Sequence, residues 1–440
     1  MVSLLAAIAS PVFADDAPSN SDLDQRIRVL ERQLEIQQEN ADAAAQKAAV
    51  VSAGPDGFSI KNAKGDYSLK FDGLIQADAR FYTGDDATGT PGRLSDNFLL
   101  RRVEPTISGT LGQYVGFQIT PEFGGNAPGL LDFWGELRFD PAANLRVGRF
   151  KEPVGLENLQ SSPAVTFIER GLPTDLVPGR DIGVQLHGQF LDQRLSYAVG
   201  IFNGGADAGD ATPPDADNRH DIAARVFAEP FKNSPGLLQN FGVGIAGTVG
   251  SDRGAANTAV IIGGYKTAGQ QTFFTYNAAT NANGRHSHLS PQAYWYHNNY
   301  GVLAEYVISR QQLVNGAQSG DVENQAYQVA VNYVLTGEDA SYKGVKPKNA
   351  FKVGGDGWGA FEVALRTGGI NIDGNAFADG FADTTKAANR AREYGAAFNW
   401  YVNSNAKVAL NYEETHFDGG ATAGDRQNER AILARLQVAF

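Results

Sequence analysis

The chain has 440 residues, a net charge of −12, no cysteine and a single methionine against 51 glycines, 25 phenylalanines and 16 tyrosines. The charge argues against nucleic acid as a partner, and the missing thiols exclude disulfides, thiolate metal sites and a cysteine nucleophile. Glycine with Phe and Tyr suits aromatic-rich strands joined by glycine turns better than helices, and the length admits one large barrel or two to three ordinary domains.

Residues 1–14 read as a secretory signal. Val2 to Ala9 is apolar, and Val12-Phe13-Ala14 forms a small-residue cleavage pattern before Asp15-Asp16. No Lys or Arg precedes the apolar run, as such a signal would ordinarily have. No later stretch approaches the ~20 apolar residues of a membrane-spanning helix. An exported chain without such a helix is a soluble periplasmic protein or a closed barrel, because only helices and closed barrels satisfy every backbone group in lipid.

Residues 15–57 form a prefix of different character. Leu23, Ile27, Leu30 and Leu34 follow the a/d spacing of a heptad, and the register continues through Gln37, Ala41, Ala44, Ala48 and Val51. This predicts a short periplasmic coiled-coil helix that self-associates, or a single solvated helix.

From residue 58 to 440 the pattern is that of a barrel. Leu69, Phe71, Ile75, Ala77, Ala79 and Phe81 alternate with Lys70, Asp72, Gln76, Asp78 and Arg80, the lipid-out, lumen-in code of a transmembrane strand. Seventeen candidate strands run from 68–82 to 430–440. Dropping the shortest, 271–277, leaves sixteen, an even number as bacterial single-chain barrels require. Tight turns at Asp192, Asn299 and Asn403-Ser404 alternate with longer polar loops near 203–218, 251–288, 312–324, 337–356, 372–390 and 417–429. The final strand alternates to a terminal Phe440, which resembles the signal read by the outer-membrane assembly machinery. The fold class expected is all-β: a transmembrane antiparallel barrel in the bacterial outer membrane, with a short N-terminal helical segment.

At this point the sequence resembles a known family, the phosphate-selective porins O and P. The resemblance lies in Leu145-Arg146-Val147-Gly148-Arg149-Phe150-Lys151-Glu152-Pro153-Val154-Gly155-Leu156-Glu157, Thr166-Phe167-Ile168-Glu169-Arg170, Phe98-Leu99-Leu100-Arg101-Arg102-Val103, Gly284-Arg285, Leu289-Ser290-Pro291-Gln292 and Leu303-Ala304-Glu305-Tyr306. It implies a homotrimer of sixteen-stranded barrels passing phosphate or other small anions. It also implies a third loop folded inward as the constriction and an arginine ladder leading to a Lys-lined zone, with Lys266 and Arg285 as ladder residues.

The residues themselves support part of this. Between Phe150 and Arg180 no alternation is visible, and the segment carries Pro153, Pro163, Pro173 and Pro178 with several apolar residues. So long a structureless stretch needs a place, and folding residues 152–180 into the lumen would bury it. Arg146, Arg149, Lys151, Arg170 and Arg180 cluster around it, and rings of Arg or Lys select anions. Arg102 has lumen parity, whereas Arg101 and Arg149 fall on the apolar face if their strands run unbroken. There they would sit at strand ends against lipid phosphates. Arg170 and Arg180 could pair with Glu169 and Asp181. Acidic residues share the candidate lumen faces at Asp72, Asp78, Glu104, Glu136 and Glu152. A general or sugar-permeable porin is therefore the rival reading, and an adhesive or structural outer-membrane barrel is the rival of another class. No enzyme is expected: the six histidines stand in no metal motif, and neither a Gly-x-Ser-x-Gly elbow nor a phosphate-cradling Gly loop occurs. No cofactor or metal is expected.

Overall fold

The computed structural model describes residues 20–440 except 48, 84–93, 126–127, 211–217 and 255–261; the expected signal, residues 1–14, lies outside the described residues. A helix, α1 (Asn20–Lys47), precedes a hairpin of β1 (Val50–Gly54) and β2 (Gly57–Lys61). The barrel wall follows as β3 (Tyr67–Tyr82), β4 (Asn97–Leu111), β5 (Val115–Glu122), β6 (Gly129–Asp140), β7 (Ala143–Lys151), β8 (Arg180–Phe190), β9 (Leu195–Phe202), β10 (Asp221–Ala228) and β11 (Asn240–Arg253). After the loop strands β12 (Tyr265–Lys266) and β13 (Thr272–Phe274) it continues as β14 (Thr280–His297), β15 (Tyr300–Asn315), β16 (Gln318–Val334), β17 (Ala360–Asn371), β18 (Ala388–Tyr401), β19 (Ala406–Gly419) and β20 (Glu429–Ala439).

Each wall strand pairs antiparallel with its neighbours, and β20 pairs with β3 to close sixteen strands into a barrel. The short β12–β13 pair forms a separate two-stranded sheet, so the 271–277 candidate stands outside the wall as expected. The period-2 code is visible in β19, where Val408, Leu410 and Tyr412 are exposed while Lys407, Asn411 and Glu413 are buried inside. At the seam the β3 edge is fully covered: β20 pairs with Leu74 to Tyr82, and β2 with Ser68 to Phe71. Between them Phe440 and Gly73 exchange backbone hydrogen bonds of 2.9 and 3.1 Å. The Phe440 ring meets Phe58 at 6.2 Å and Phe71 at 6.0 Å. An open edge in lipid would leave donors and acceptors unpaired.

Three expectations need correction. The heptad register was expected to reach Val51, but α1 ends at Lys47 and Val51 lies in β1, opposite Ile60. Residues 312–324 are not a loop: β15 and β16 run to Asn315 and from Gln318, joined by Gly316 and Ala317. Their polarity reflects strands that continue beyond the hydrocarbon, and Gly316 takes the positive φ of 61° that the turn needs. The 335–359 connection is long, but it joins β16 to β17 at the same end as the tight turn between His297 and Tyr300. It therefore belongs to the short-turn, periplasmic end.

Candidate functional site

The connection after β7 decides the shape of the lumen. It contains α2 (Leu156–Leu159) and two 3-10 turns, Ser162–Ala164 and Leu172–Leu176, started by prolines near their first positions. Such a segment satisfies few of its own backbone groups, and buried groups must find partners elsewhere. They find them on the opposite wall. Leu156 N donates to Glu305 Oε2 at 2.6 Å, and Gln328 donates to Glu305 at 2.6 Å and to Glu157 at 2.9 Å. Asn399 donates to Thr166 O (2.9 Å), Lys407 to Val165 O (2.9 Å), Arg435 to Ile168 O (2.6 Å) and Gln437 to Pro163 O (3.1 Å). The apolar side chains pack there too. Phe167 lies against Ala364 and Ala397, and Ile168 against Ala409, Ala431 and Leu433. Small residues on that inner wall leave room for them. The segment thus crosses the lumen from β7 to the side formed by β15 to β20.

A second support rises from the periplasmic end. Tyr342, in the 335–359 connection, donates its hydroxyl to Leu156 O at 2.6 Å, and Gln160 donates to Tyr342 O at 2.7 Å. The Tyr342 ring stacks on Tyr294 at 5.1 Å.

Glu169 is the hub of the crossing segment. Arg101 contacts it at 2.7 Å, Arg80 at 3.1 Å and Arg435 at 3.3 Å. Burial opposes its ionisation, but the charges of Arg101, Arg435 and Arg102 outweigh that and hold its carboxyl well below the usual range. Arg101 reaches Glu169 because of a β-bulge. Gln76 pairs with Arg102 and Ala77 with Leu100, which leaves Arg101 as the extra residue. The bulge reverses the parity that would have placed Arg101 on the lipid face, and Arg101 and Arg102 both serve the lumen.

Two cavities flank this region. One of about 640 Å³ on the loop side is lined by Arg101, Arg102, Glu169, Arg170, Asp175 and Lys266 among others. One of about 1180 Å³ on the turn side is lined by Glu104, Asp132, Arg146, Lys151, Arg180 and Arg225 among others. Lys151 donates to Asn158 O. Arg170, Arg180 and Arg102 all repel its charge, with Asp132 the attractive neighbour. Arg102 and Arg170 line the loop-side cavity and Lys151 and Arg180 the turn-side cavity, and the three arginines all bear on the charge of Lys151. Each is held from the side. Arg102 donates to Gln76 at 2.6 Å, Arg180 lies 3.1 Å from Asp132, and Arg170 donates to the carbonyls of Glu157 and Gln160 at 2.8 Å each. Arg170 and Arg180 thus take partners other than the Glu169 and Asp181 considered from sequence. Burial pushes the Arg170 guanidinium down from its ordinary value.

The remaining sequence candidates lie elsewhere. Arg149 lies in register with the exposed Phe133 and Ile182 and donates to Leu130 O at 2.9 Å, on the outward face. Lys266 lines the loop-side cavity, and its main-chain N–H donates to Asp175 at 2.9 Å. Arg285 does not join the lumen: it is exposed and alternates with His286 and His288, which are buried inside against Asp221 and Asp207. Sequence reasoning missed Arg80, Arg366, Lys407 and Arg435 as anchors of the crossing segment. Their lumen parity was the available signal, but parity does not say which residue meets a loop from far away in the chain. Glu152 is fully buried with neither carboxylate oxygen hydrogen-bonded among the described residues. Burial, then Asp221 and Asp181, push its carboxyl well above the ordinary range.

A family model described as phosphate-selective porin O and P matches residues 69–440. The chain belongs to this family. A porin of this kind is a non-enzymatic channel of the bacterial outer membrane. Porin O of Pseudomonas aeruginosa is 24% identical over 428 residues, covering 87% of this chain and 91% of the relative. Among solved structures, the outer membrane channel DcaP of Acinetobacter baumannii matches with TM-score 0.56 and 13% identity, covering 87% of this chain and 99% of its own. The trimer form of OmpT of Vibrio cholerae matches with TM-score 0.53 and 10% identity, covering 84% and 99%. At these identities the structures speak for the barrel fold, and the family match for the porin.

Proposed function

We propose that this porin is a passive channel for small anions, phosphate foremost, in which residues 152–180 narrow the pore and Arg102, Lys151, Arg170 and Arg180 hold the anion. The observation that carries the reading is that Arg102 and Arg170 line one cavity, Lys151 and Arg180 the other, and the three arginines act on the charge of Lys151. Arg can grip phosphate oxygens through two N–H groups, while Lys is a point charge suited to release. A site that passes its ligand must bind weakly enough to let it go. Arg101 is committed to Glu169 and keeps the crossing segment in place. Arg146, Lys266 and Arg225 extend positive charge toward either mouth. The chain works as a homotrimer in this reading, as the OmpT form named above does, and Phe440 is the residue presented to the assembly machinery.

Asp175, Asp181, Asp207 and Asp252 line the loop-side cavity, and they favour a second reading, a general porin of weak selectivity. One measurement separates the two. In planar bilayers under a chloride gradient, an anion-selective reversal potential with current blocked by added phosphate supports the first reading. Lys151→Glu should then weaken the phosphate block by about tenfold, on the order of 1.4 kcal/mol. A cation-selective or phosphate-indifferent channel supports the second.

A further inference from the structure

The outer face of the barrel is not uniform. Strands β5, β9 and β10 have 8 residues each, and their outward side chains stay apolar to the loop end, as at Phe123, Ile201 and Ile222. On the other half, β14 has 18 residues and β16 has 17. There the outward apolar run stops short of the loops and arginine takes over. On β18 the exposed Tyr394 is followed toward the loops by Arg392 and Arg390. On β20 Ile432 is followed by Arg430, and on β15 Ile308 by Arg310. Aromatic girdles mark the edge of the hydrocarbon, so these guanidiniums stand in the headgroup layer just above it.

Each is also held in place. Arg392 contacts Asp418 at 2.8 Å and Arg390 contacts the same carboxylate at 3.3 Å; Arg430 meets Glu414 at 3.0 Å and Arg310 meets Glu323 at 2.5 Å. Two arginines on one carboxylate leave an uncompensated positive charge, and guanidiniums steadied from one side offer their other N–H groups outward. We propose that Arg390, Arg392 and Arg430, flanked by Arg310, form a lateral binding surface for phosphorylated headgroups of the outer leaflet. The chemistry required is planar N–H donors facing phosphate oxygens, with an aromatic shelf below for the acyl chains. The site lies on the lipid side of the wall and is independent of conduction.

The test is native mass spectrometry of the detergent-purified full chain, titrated with diphosphorylated lipid A and with its dephosphorylated form. The triple variant Arg390→Gln, Arg392→Gln, Arg430→Gln is measured alongside, and its single-channel conductance reports an intact barrel. The expected result is retention of the phosphorylated lipid, loss of at least about tenfold in affinity in the variant, and little retention of the dephosphorylated lipid. Equal retention of both lipids, or unchanged retention by a conducting variant, overturns the proposal. So does displacement of the lipid by millimolar inorganic phosphate, which would mark a free-anion site instead. If the variant does not conduct, Arg392→Gln alone and Arg430→Gln alone are measured in its place, with the same lipid readout deciding.

Discussion

Glu169 and Glu152 are both buried carboxyls of the same loop, and their surroundings drive them in opposite directions. Glu169 sits among guanidiniums and is held ionised; removing its charge leaves Arg80, Arg101 and Arg435 without their shared partner. Glu169→Gln should cost about 3–5 kcal/mol, the usual scale for breaking a buried ion pair from one side, read as a lower denaturant midpoint and as added open-channel noise. Because its folded carboxyl titrates below the unfolded one, its contribution is present above the ordinary carboxylate range. That contribution is lost only as pH falls through the depressed value. Glu152 has the reverse sign: its raised carboxyl favours the fold in acid, and that contribution is lost as pH rises. Glu152→Gln should therefore leave stability unchanged or higher at about pH 8 and flatten its pH dependence above the ordinary carboxylate range. Chemical denaturation across that range checks both.

At the scale of elements, the crossing segment is held by the wall more than by itself. Its helix α2 has 4 residues, too short to be stable alone, and its carbonyls are capped by strand side chains. Tyr342, in the 335–359 connection, adds a support from the periplasmic end. Tyr342→Phe removes the hydroxyl that reaches Leu156 O and should cost about 1 kcal/mol. The expected readout is more frequent current fluctuation with the reversal potential unchanged. A shifted reversal potential would mean that Tyr342 acts on the anion and not on the loop.

For the whole molecule, closure is the step on which every other contact depends. The backbone exchange between Phe440 and Gly73 and the ring contacts with Phe58 and Phe71 finish the seam. Deleting Phe440 should lower the yield of folded barrel several-fold without changing the conductance of the channels that do form. Heat-modifiable gel mobility measures the first and bilayer recording the second. Unchanged yield would show that β20 pairing alone secures closure.

Much of this was legible in the residues alone. The side-chain period of a strand is two, so Leu69 to Phe81 declare an apolar and a polar face locally, and the number of strands with their alternating short and long connections makes the apolar one the lipid face. The inward turn of 152–180 was legible from its prolines and its missing alternation. Other features were hidden because they depend on partners distant in sequence. The bulge at Arg101 is a register shift between β3 and β4, and no pattern within β4 announces it. Arg435 and Lys407 show their lumen parity in sequence, but only the closed barrel brings them to Ile168 and Val165. The polar tips of β15 and β16 read as loop because polarity marks exit from lipid, not the end of a strand. The number of strands, the alternation of tight turns with long loops and the closing strand determined by sequence alone that this chain is an outer-membrane barrel, since alternation by itself fits a soluble sandwich as well. Which side chains hold residues 152–180 was decided only by tertiary structure, since closure alone brings Arg366, Asn399, Lys407 and Arg435 against them.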